Sequence, residues 1–286
     1  MGLKVFIDGK HYEKEDAKIS VFDHGLLYGD GVFEGIRSYG GKVFRLDQHI
    51  ERLYDGAKAI QLTIPMTPEE MKRAIRETLG VNGLRDAYIR VVCTRGAGTL
   101  GLDPNRCPKG SVIIITDSIQ LYPKELYERG LEVITAATVQ RHHQTVSARI
   151  KSLNYLNNIL AKIEAVNNDV PEAILVNEAG YVCECTGDNI FFVKRGELVT
   201  PPVTAGILRG ITRDAVIELA RGTGRVVREE LFTRYELFTA DECFLTGTAA
   251  EVIPVIRIDA RTIGDGKPGP VTAELRNAFH KLTGEG

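Results

Sequence analysis

The sequence carries almost no net charge. Its 36 Lys and Arg face 38 Asp and Glu, a formal −2 at pH 7. That balance excludes a general nucleic-acid binder, which needs a basic surface to displace counterions. There is no tryptophan, and the strongest apolar run, Val112 to Ile115, is four residues long, far short of the ~18 a membrane helix requires. Lys4 and Asp8 fall inside the window a signal-peptide core would occupy, so a cytoplasmic location is expected and no membrane partner. The five cysteines (Cys93, Cys107, Cys183, Cys185, Cys243) are odd in number and scattered, which argues against a disulfide framework. Cys183 and Cys185, two apart on a strand-like segment, are expected to share a face, but no second His or Cys pair nearby would complete a zinc site. The six histidines contain no HExxH, and the adjacent His142 and His143 should point apart, so no metal is expected. Neither GxGxxG nor GxxxxGK[ST] occurs, and there is no internal repeat or low-complexity tract.

What is present is ordinary globular material, 43% hydrophobic and 26% charged over 286 residues. At roughly 150 residues per domain this is two domains or one large one. Glycine is in excess, at 29 residues. Asp8-Gly9 and Gly40-Gly41 read as hairpin turns between short strands. Helical spacing of Ile50, Leu53, Ala57 and Ile60 predicts a helix from about Asp47 to Ile60. Thr67-Pro68-Glu69-Glu70 opens a second helix with a capping box. Strands follow at 87–94 and 111–116, flanking a Gly/Pro-rich loop long enough to suggest function. After a connector the pattern resumes: a strand at 131–137, a helix at about 152–168 with Leu153, Leu156, Leu160 and Ile163 on one face, a hairpin through 177–180, and then strands at 190–194, 197–200, 225–229, 242–246 and 252–258. Helices are expected at about 211–221 and 271–282. Strands outnumber helices and hairpins outnumber βαβ units. The reading is α+β in two domains: 1–118, a connector at 119–126, and a larger domain at 127–286.

Four features carry chemistry. Lys151 stands just before the expected helix at 152, where the positive end of the helix dipole favours the neutral amine and hence Schiff-base chemistry. A lone lysine at a helix start is ordinarily only solvated. Gly210-Ile211-Thr212 opens a helix and could cradle an anion. Thr246-Gly247-Thr248-Ala249-Ala250 offers further N–H groups and hydroxyls at a strand end. Glu184 is a carboxylate in an otherwise uncharged strand and needs a partner if it is buried. A lysine, a phosphate cradle and a carboxylate are the parts of a pyridoxal phosphate site.

The motifs YGDGVFEGIR (28–37), FRLDQHIERL (44–53), AYIRVVCTRG (87–96), IKSLNYLNN (150–158), YVCECTGDNIF (181–191), LRGITRDAV (208–216) and TGTAAEVIPV (246–255) occur in this order. With them the chain resembles the fold-type IV (D-amino acid aminotransferase-like) pyridoxal phosphate enzymes, and is most similar to the branched-chain amino acid aminotransferases. The resemblance implies that Lys151 binds the cofactor aldehyde and shuttles the proton. It implies that Glu184 partners the pyridine nitrogen and Tyr155 the ring oxygen. Arg52, Leu208, Gly210, Ile211, Thr212, Gly247 and Thr248 would surround the phosphate end. Tyr88 and the Thr248-Ala249 backbone would hold the substrate α-carboxylate, Phe33 would wall the apolar pocket, and Arg90 would receive the distal carboxylate of glutamate. Tyr28 would reach in from a neighbouring subunit, which implies a homodimer or higher oligomer, and Tyr122 from the connector, with the site in a cleft near residue 120. KSLNY is one residue shorter than in larger bacterial members, as in the D-amino acid transaminase branch, and Gly29-Asp30-Gly31 is also similar to that branch. Tyr88-Ile89-Arg90 and Gly247-Thr248-Ala249-Ala250 favour the L-type. The expected activity is transamination of leucine, isoleucine or valine with 2-oxoglutarate. The alternatives are a D-amino acid transaminase, an aminodeoxychorismate lyase, and, outside catalysis, a cofactor-binding scaffold.

Overall fold

The structure is a computed structural model that describes residues 2–118 and 121–284. The chain divides into two compact units, Met1–Ile119 with Ile150–Asn154, and Gln120–Arg149 with Tyr155–Gly286. Residues 119 and 120 of the expected connector lie outside the described residues.

The first unit is an antiparallel sheet with two helices on one face. Its strands are β1 (Lys4–Ile7), β2 (Lys10–Glu13), β3 (Gly31–Tyr39), β4 (Lys42–Val43), β5 (Ala87–Thr94) and β6 (Ser111–Asp117), in the order β2-β1-β6-β5-β3-β4. A short helix α1 (His24–Tyr28) precedes β3, and α2 (Leu46–Ala59) and α3 (Pro68–Val81) follow β4. Asp8 and Gly9 take φ of 48° and 92°, and Gly40 and Gly41 56° and 88°, the left-handed pairs that two-residue hairpins need. The Thr67–Glu70 capping box forms, with Pro68 in the first turn of α3. Alternation along β3 and β5 sorts the faces. Val32, Ile36, Ile89, Val91 and Cys93 join Leu46, Ile50, Leu53, Met71 and Ile75 of the helices in one core. Phe33, Gly35, Tyr88 and Arg90 take the other face.

The second unit holds a mixed sheet in the order β12-β11-β10-β13-β14-β7-β8-β9, with β15 paired to β14. These strands are β7 (Leu131–Thr135), β8 (Glu172–Val176), β9 (Val182–Cys185), β10 (Asn189–Lys194), β11 (Glu197–Thr200), β12 (Val227–Glu229), β13 (Glu242–Gly247), β14 (Glu251–Ile258) and β15 (Arg261–Thr262). Its helices are α4 (Lys124–Arg129), α5 (Leu156–Asn167), α6 (Ile211–Gly222), α7 (Arg234–Phe238) and α8 (Pro270–Thr283). Among the described residues no helix is long and apolar enough to cross a membrane. All five cysteines are free.

Four local expectations are corrected. The helix expected from 152 begins only at Leu156, so the dipole argument for Lys151 lapses. The residues before it form backbone bonds to β3 instead of a first turn. The apolar stripe of α5 does share a face, but Leu156, Leu160 and Ile163 are exposed, while Ala161, Ala165 and Asn158 are buried. Small residues let the helix lie close on β8, so the stripe is left outward. Cys183 and Cys185 do not share a face. β8 pairs Ile174 with Cys185 and Val176 with Val182, a bulge that inserts one residue into β9 and breaks the alternation. Cys183 packs with Ala205 and Ile207, whereas Cys185 joins the main core. The His142 and His143 rings do not diverge, because they sit in irregular chain with centroids 4.2 Å apart.

Candidate active site

The first unit gathers one set of the candidate residues around the N-terminal half of β3. The edge of β3 at Gly31–Phe33 is not covered by β4, which pairs only with Ser38 and Tyr39. The lysine-bearing segment covers it. The Phe33 N–H donates to the Lys151 carbonyl at 2.9 Å, the Leu153 N–H donates to the Gly31 carbonyl at 3.0 Å, and Val32 bridges Ser152. Backbone groups on both sides are thereby satisfied, and the Lys151 Nζ lies 4.5 Å from the centre of the Phe33 ring. Arg90 stands over the same ring at 4.6 Å and donates to the Tyr88 hydroxyl at 2.9 Å. Gly35 makes this possible: a Cβ there would lie 2.2 Å from the Tyr88 hydroxyl oxygen. An aromatic wall, an amine, a phenol and a guanidinium thus share one sheet face.

On the opposite face Glu34 is fully buried and accepts two charge-assisted bonds from Arg52, Nε to Oε1 at 2.7 Å and Nη2 to Oε2 at 2.8 Å. His49 Nδ1 donates to Glu34 Oε2 at 2.8 Å, since a carboxylate can only accept. Burial alone would raise the Glu34 pKa, but Arg52 and His49 hold it down at about 2. Burial pushes the His49 imidazole down, and the cations Arg52 and Lys151 add to this against the pull of Glu34. The result is a bidentate guanidinium whose orientation is set by a buried anion.

Tyr28 ends α1, packs edge-on against His24, and accepts from the Gly101 N–H at 3.1 Å. Around it Phe22, Leu26, Leu27, Leu100 and Leu102 are exposed, Leu102 to 81%.

The second unit holds the other set. The β9 bulge turns Glu184 to the same side as Cys183, where the 205–208 segment runs. Glu184 is 7% exposed. Its Oε1 accepts from Gln140 Nε2 at 2.8 Å and its Oε2 from the Leu208 N–H at 2.9 Å, with Asn189 Nδ2 at 3.4 Å. These three donors fix the orientation of the carboxylate. Beyond Leu208, Gly210 caps α6 with no side-chain hydrogen bond, so the first N–H groups of that helix, at Ile211 and Thr212, remain available. Gly247, which ends β13, and Thr248 and Ala249 of the turn to β14 are partly buried. That turn ends on Glu251 at φ 57°, a left-handed conformation that costs a non-glycine residue about 1 kcal/mol. The His280 Nε2, 3.2 Å from its carboxylate, helps hold it there. Tyr155 lies under the Arg141 guanidinium, 5.9 Å from its ring centre.

Tyr122 lies in the second unit. It is 4% exposed, packed in the second unit's core against Tyr127, with its hydroxyl 3.4 Å from both Glu172 and Asp188. Burial and the two carboxylates raise its pKa. Tyr122 thus reaches Asp188 from within the second unit's core.

Comparison with known proteins gives the family. Residues 31–258 match the family "Amino-transferase class IV". The chain belongs to the class IV aminotransferases. A putative branched-chain-amino-acid aminotransferase of Methanocaldococcus jannaschii is 52% identical over 280 residues, covering 98% of this chain and 96% of that protein. The crystal structure of the Escherichia coli branched-chain amino acid aminotransferase superposes with a TM-score of 0.96 at 37% identity, covering 100% of this chain and 96% of that one. The branched-chain amino acid aminotransferase of Thermobaculum terrenum, in its PLP-bound holo form, gives 0.90 at 31% identity, with coverage of 100% and 95%.

Class IV aminotransferases are pyridoxal phosphate-dependent, and the residues of this aminotransferase fit that group. Glu184 is a buried carboxylate fixed by three donors, a group of the chemistry a pyridine nitrogen would need as partner. The turns at Gly210 and Gly247 are crowded: a Cβ on either would lie 2.0 Å from a neighbouring side-chain oxygen, which would have to shift. Available N–H groups at the start of α6 suit a phosphate.

Sequence reasoning missed Glu34, His49, Gly35, Gln140, Asp188 and Asn189. Glu34 had a signal, since it falls on the apolar phase of β3 between Val32 and Ile36. His49 likewise sits on the apolar stripe of α2 beside Leu46, Ile50 and Leu53. Gln140 lies in irregular chain and had none.

Removing the buried anion tests this network. Glu34→Gln leaves Arg52 without its counter-charge and should lower stability to chemical denaturation by about 3 kcal/mol at neutral pH. Because the folded pKa of about 2 lies below the ordinary ~4.3, the wild-type advantage is complete above that ordinary value. It declines as pH falls toward the folded pKa, so the two stability curves should converge on acidification. Curves that stay parallel would show that Glu34 contributes no titrating stabilisation.

Proposed function

We infer that this chain transaminates branched-chain L-amino acids, passing the amino group to 2-oxoglutarate in a ping-pong cycle with pyridoxal 5'-phosphate. The relatives favour this reading over a D-amino acid transaminase or an aminodeoxychorismate lyase. One observation within the chain carries it: a single sheet face presents the Phe33 ring together with Arg90 and Tyr88. A side-chain pocket must accept an aliphatic chain in one half-reaction and a γ-carboxylate in the other. Phe33 supplies apolar surface for the first. Arg90, held over that ring by cation–π attraction and tethered to Tyr88, supplies a cation for the second. Without it the bound carboxylate would be a desolvated, unpaired charge.

The bound cofactor supplies an electrophilic aldehyde and an electron-withdrawing pyridine ring. In our reading Lys151 holds the aldehyde through its amine and is the base that moves the proton at the substrate Cα. Its main chain is immobilised by Phe33 and Ser152, so only the side chain need move. Glu184 would partner the ring nitrogen, its carboxylate fixed by Gln140, Asn189 and the Leu208 N–H. Tyr155 bonds the ring oxygen. Arg52, the Ile211 and Thr212 N–H groups and Thr248 bind the phosphate, with Leu208, Gly210 and Gly247 shaping the turns. Tyr88 and the Thr248-Ala249 backbone hold the α-carboxylate.

The same reading assembles the chain as a homodimer or higher oligomer, with Tyr28 serving a neighbouring copy. Its support is the exposed apolar cluster of Phe22, Leu26, Leu27, Leu100 and Leu102 around Tyr28, and the outward face of α5, where Leu156, Ile159, Leu160, Ile163 and Val166 are 46–67% exposed. Five free cysteines suit a reducing cytoplasm.

Spectroscopic half-reactions test the activity. L-leucine and L-glutamate should each discharge the cofactor's visible band, and D-alanine should not. A response to D-alanine alone would overturn the assignment. In Arg90→Ala the KM for 2-oxoglutarate should rise roughly 30-fold, as expected for a lost charge-assisted contact, with leucine affected only a few-fold. Equal losses for both would remove Arg90 from the dual-substrate role. Sedimentation should show at least a dimer, and an active monomer would contradict the Tyr28 reading.

A further inference from the structure

We propose that the adjacent side chains of Asp188 and Asn189 are the positioning residues that shape both phosphate turns. They act as one two-sided template at the start of β10. The proposal rests on the reading of residues 208–212 and 246–249 as the phosphate cradle. Asp188 and Asn189 are 6% and 5% exposed, Asp188 ending the bend after β9 and Asn189 beginning β10. Each side chain meets a different turn. A Cβ on Gly210 would lie 2.0 Å from the Asn189 Oδ1, and a Cβ on Gly247 would lie 2.0 Å from the Asp188 Oδ1. Gly187, the third glycine of this neighbourhood, has nothing within 4 Å of such an atom. The two cradle glycines are therefore required by side chains that occupy their space, not by positive φ, since neither is among the left-handed residues.

Each template residue is itself fixed. Asn189 donates through Nδ2 to the Leu208 carbonyl at 2.9 Å and lies 3.4 Å from Glu184 Oε2, so one amide ties the first turn to the carboxylate assigned to the ring nitrogen. Asp188 is approached by the Tyr122 hydroxyl at 3.4 Å, and its carbonyl accepts from the Cys185 N–H at 2.7 Å, which closes the turn after the β9 bulge. The strand register continues the arrangement: Asn189 pairs with Thr246, the residue before Gly247. The spacing of the two turns is thus set through two consecutive residues. Neither residue is assigned a contact with cofactor or substrate.

The test compares dissociation constants of apoenzyme for pyridoxal 5'-phosphate and for pyridoxal, which lacks the phosphate, by absorbance titration. A merely structural defect lowers both affinities alike. A distorted cradle lowers only the preference for the phosphorylated form. In Asp188→Ala and Asn189→Ala that preference should fall roughly tenfold or more, the scale of one lost hydrogen bond to a charged group. Asp188→Asn, which keeps the shape, should restore most of it. Gly210→Ala should be severe alone but no worse in combination with Asn189→Ala, because the truncated side chain vacates the space the new methyl needs. Ile211→Pro, which removes an assigned N–H at the first position of α6 where proline is tolerated, and Thr248→Val are the controls for the cradle itself. If they leave the preference intact, the cradle reading fails and the proposal with it. If they abolish the preference while Asp188→Ala and Asn189→Ala do not, or if Gly210→Ala and Asn189→Ala simply add, the template is overturned and the cradle stands.

Discussion

The bond from the Phe33 N–H to the Lys151 carbonyl is the constraint on which the first unit's chemistry depends. Residues 150–154 are flanked on both sides by chain that belongs to the second unit. They join the first because the edge of β3 at Gly31–Phe33 has unpaired backbone groups and the segment supplies partners for them. Five consecutive residues of β3 then do separate tasks. Gly31 and Phe33 dock the lysine main chain, and Val32 bridges Ser152. The Phe33 ring carries the Lys151 amine and the Arg90 guanidinium. Glu34, turned to the other face by the pleat, orients Arg52. Gly35 leaves room for the Tyr88 hydroxyl. A one-residue slip of β3 would exchange its two faces and undo all of these together.

In the second unit the corresponding constraint is irregularity. The bulge in β9 puts Cys183 and Glu184 on the same side, so a carboxylate that alternation would set among core residues reaches the Leu208 N–H and Gln140 instead. Close approach then replaces side chains with backbone at Gly210 and Gly247, and Glu251 is held left-handed where the second turn ends. Buried Glu184, Asp188 and Asn189 thus lie close to one another in this small region.

The sequence made the regular parts of this fold legible and left the irregular parts hidden. The Asp8-Gly9 and Gly40-Gly41 hairpins and the Thr67 capping box followed from local chemistry, and α2 from its spacing. So did most strands, to within a few residues. The start of α5 did not, because Leu153 continues the helical spacing while its backbone bonds Gly31. The outward face of α5 did not either. Periodicity shows that Leu156, Leu160 and Ile163 are together, but not that Ala161 and Ala165 form the closer-packing side. Lys151, Glu184 and the two glycine turns stood out by residue type. Of the supports of the site, Glu34 and His49 show as polar residues on the apolar phases of β3 and α2, whereas Asp188, Asn189 and Gln140 are set by long-range contacts that no local pattern announces. The burial of Tyr122 beside Glu172 and Asp188 was likewise not legible in the sequence.

The central claim is that Lys151, anchored to β3, is the residue that holds the cofactor. Borohydride reduction of the purified holoenzyme, followed by proteolysis and mass spectrometry, tests it directly. The account predicts a single phosphopyridoxyl modification, on the peptide carrying Lys151 and absent from Lys151→Ala. A modification on another lysine, or none on a protein that retains its cofactor absorbance, would contradict it.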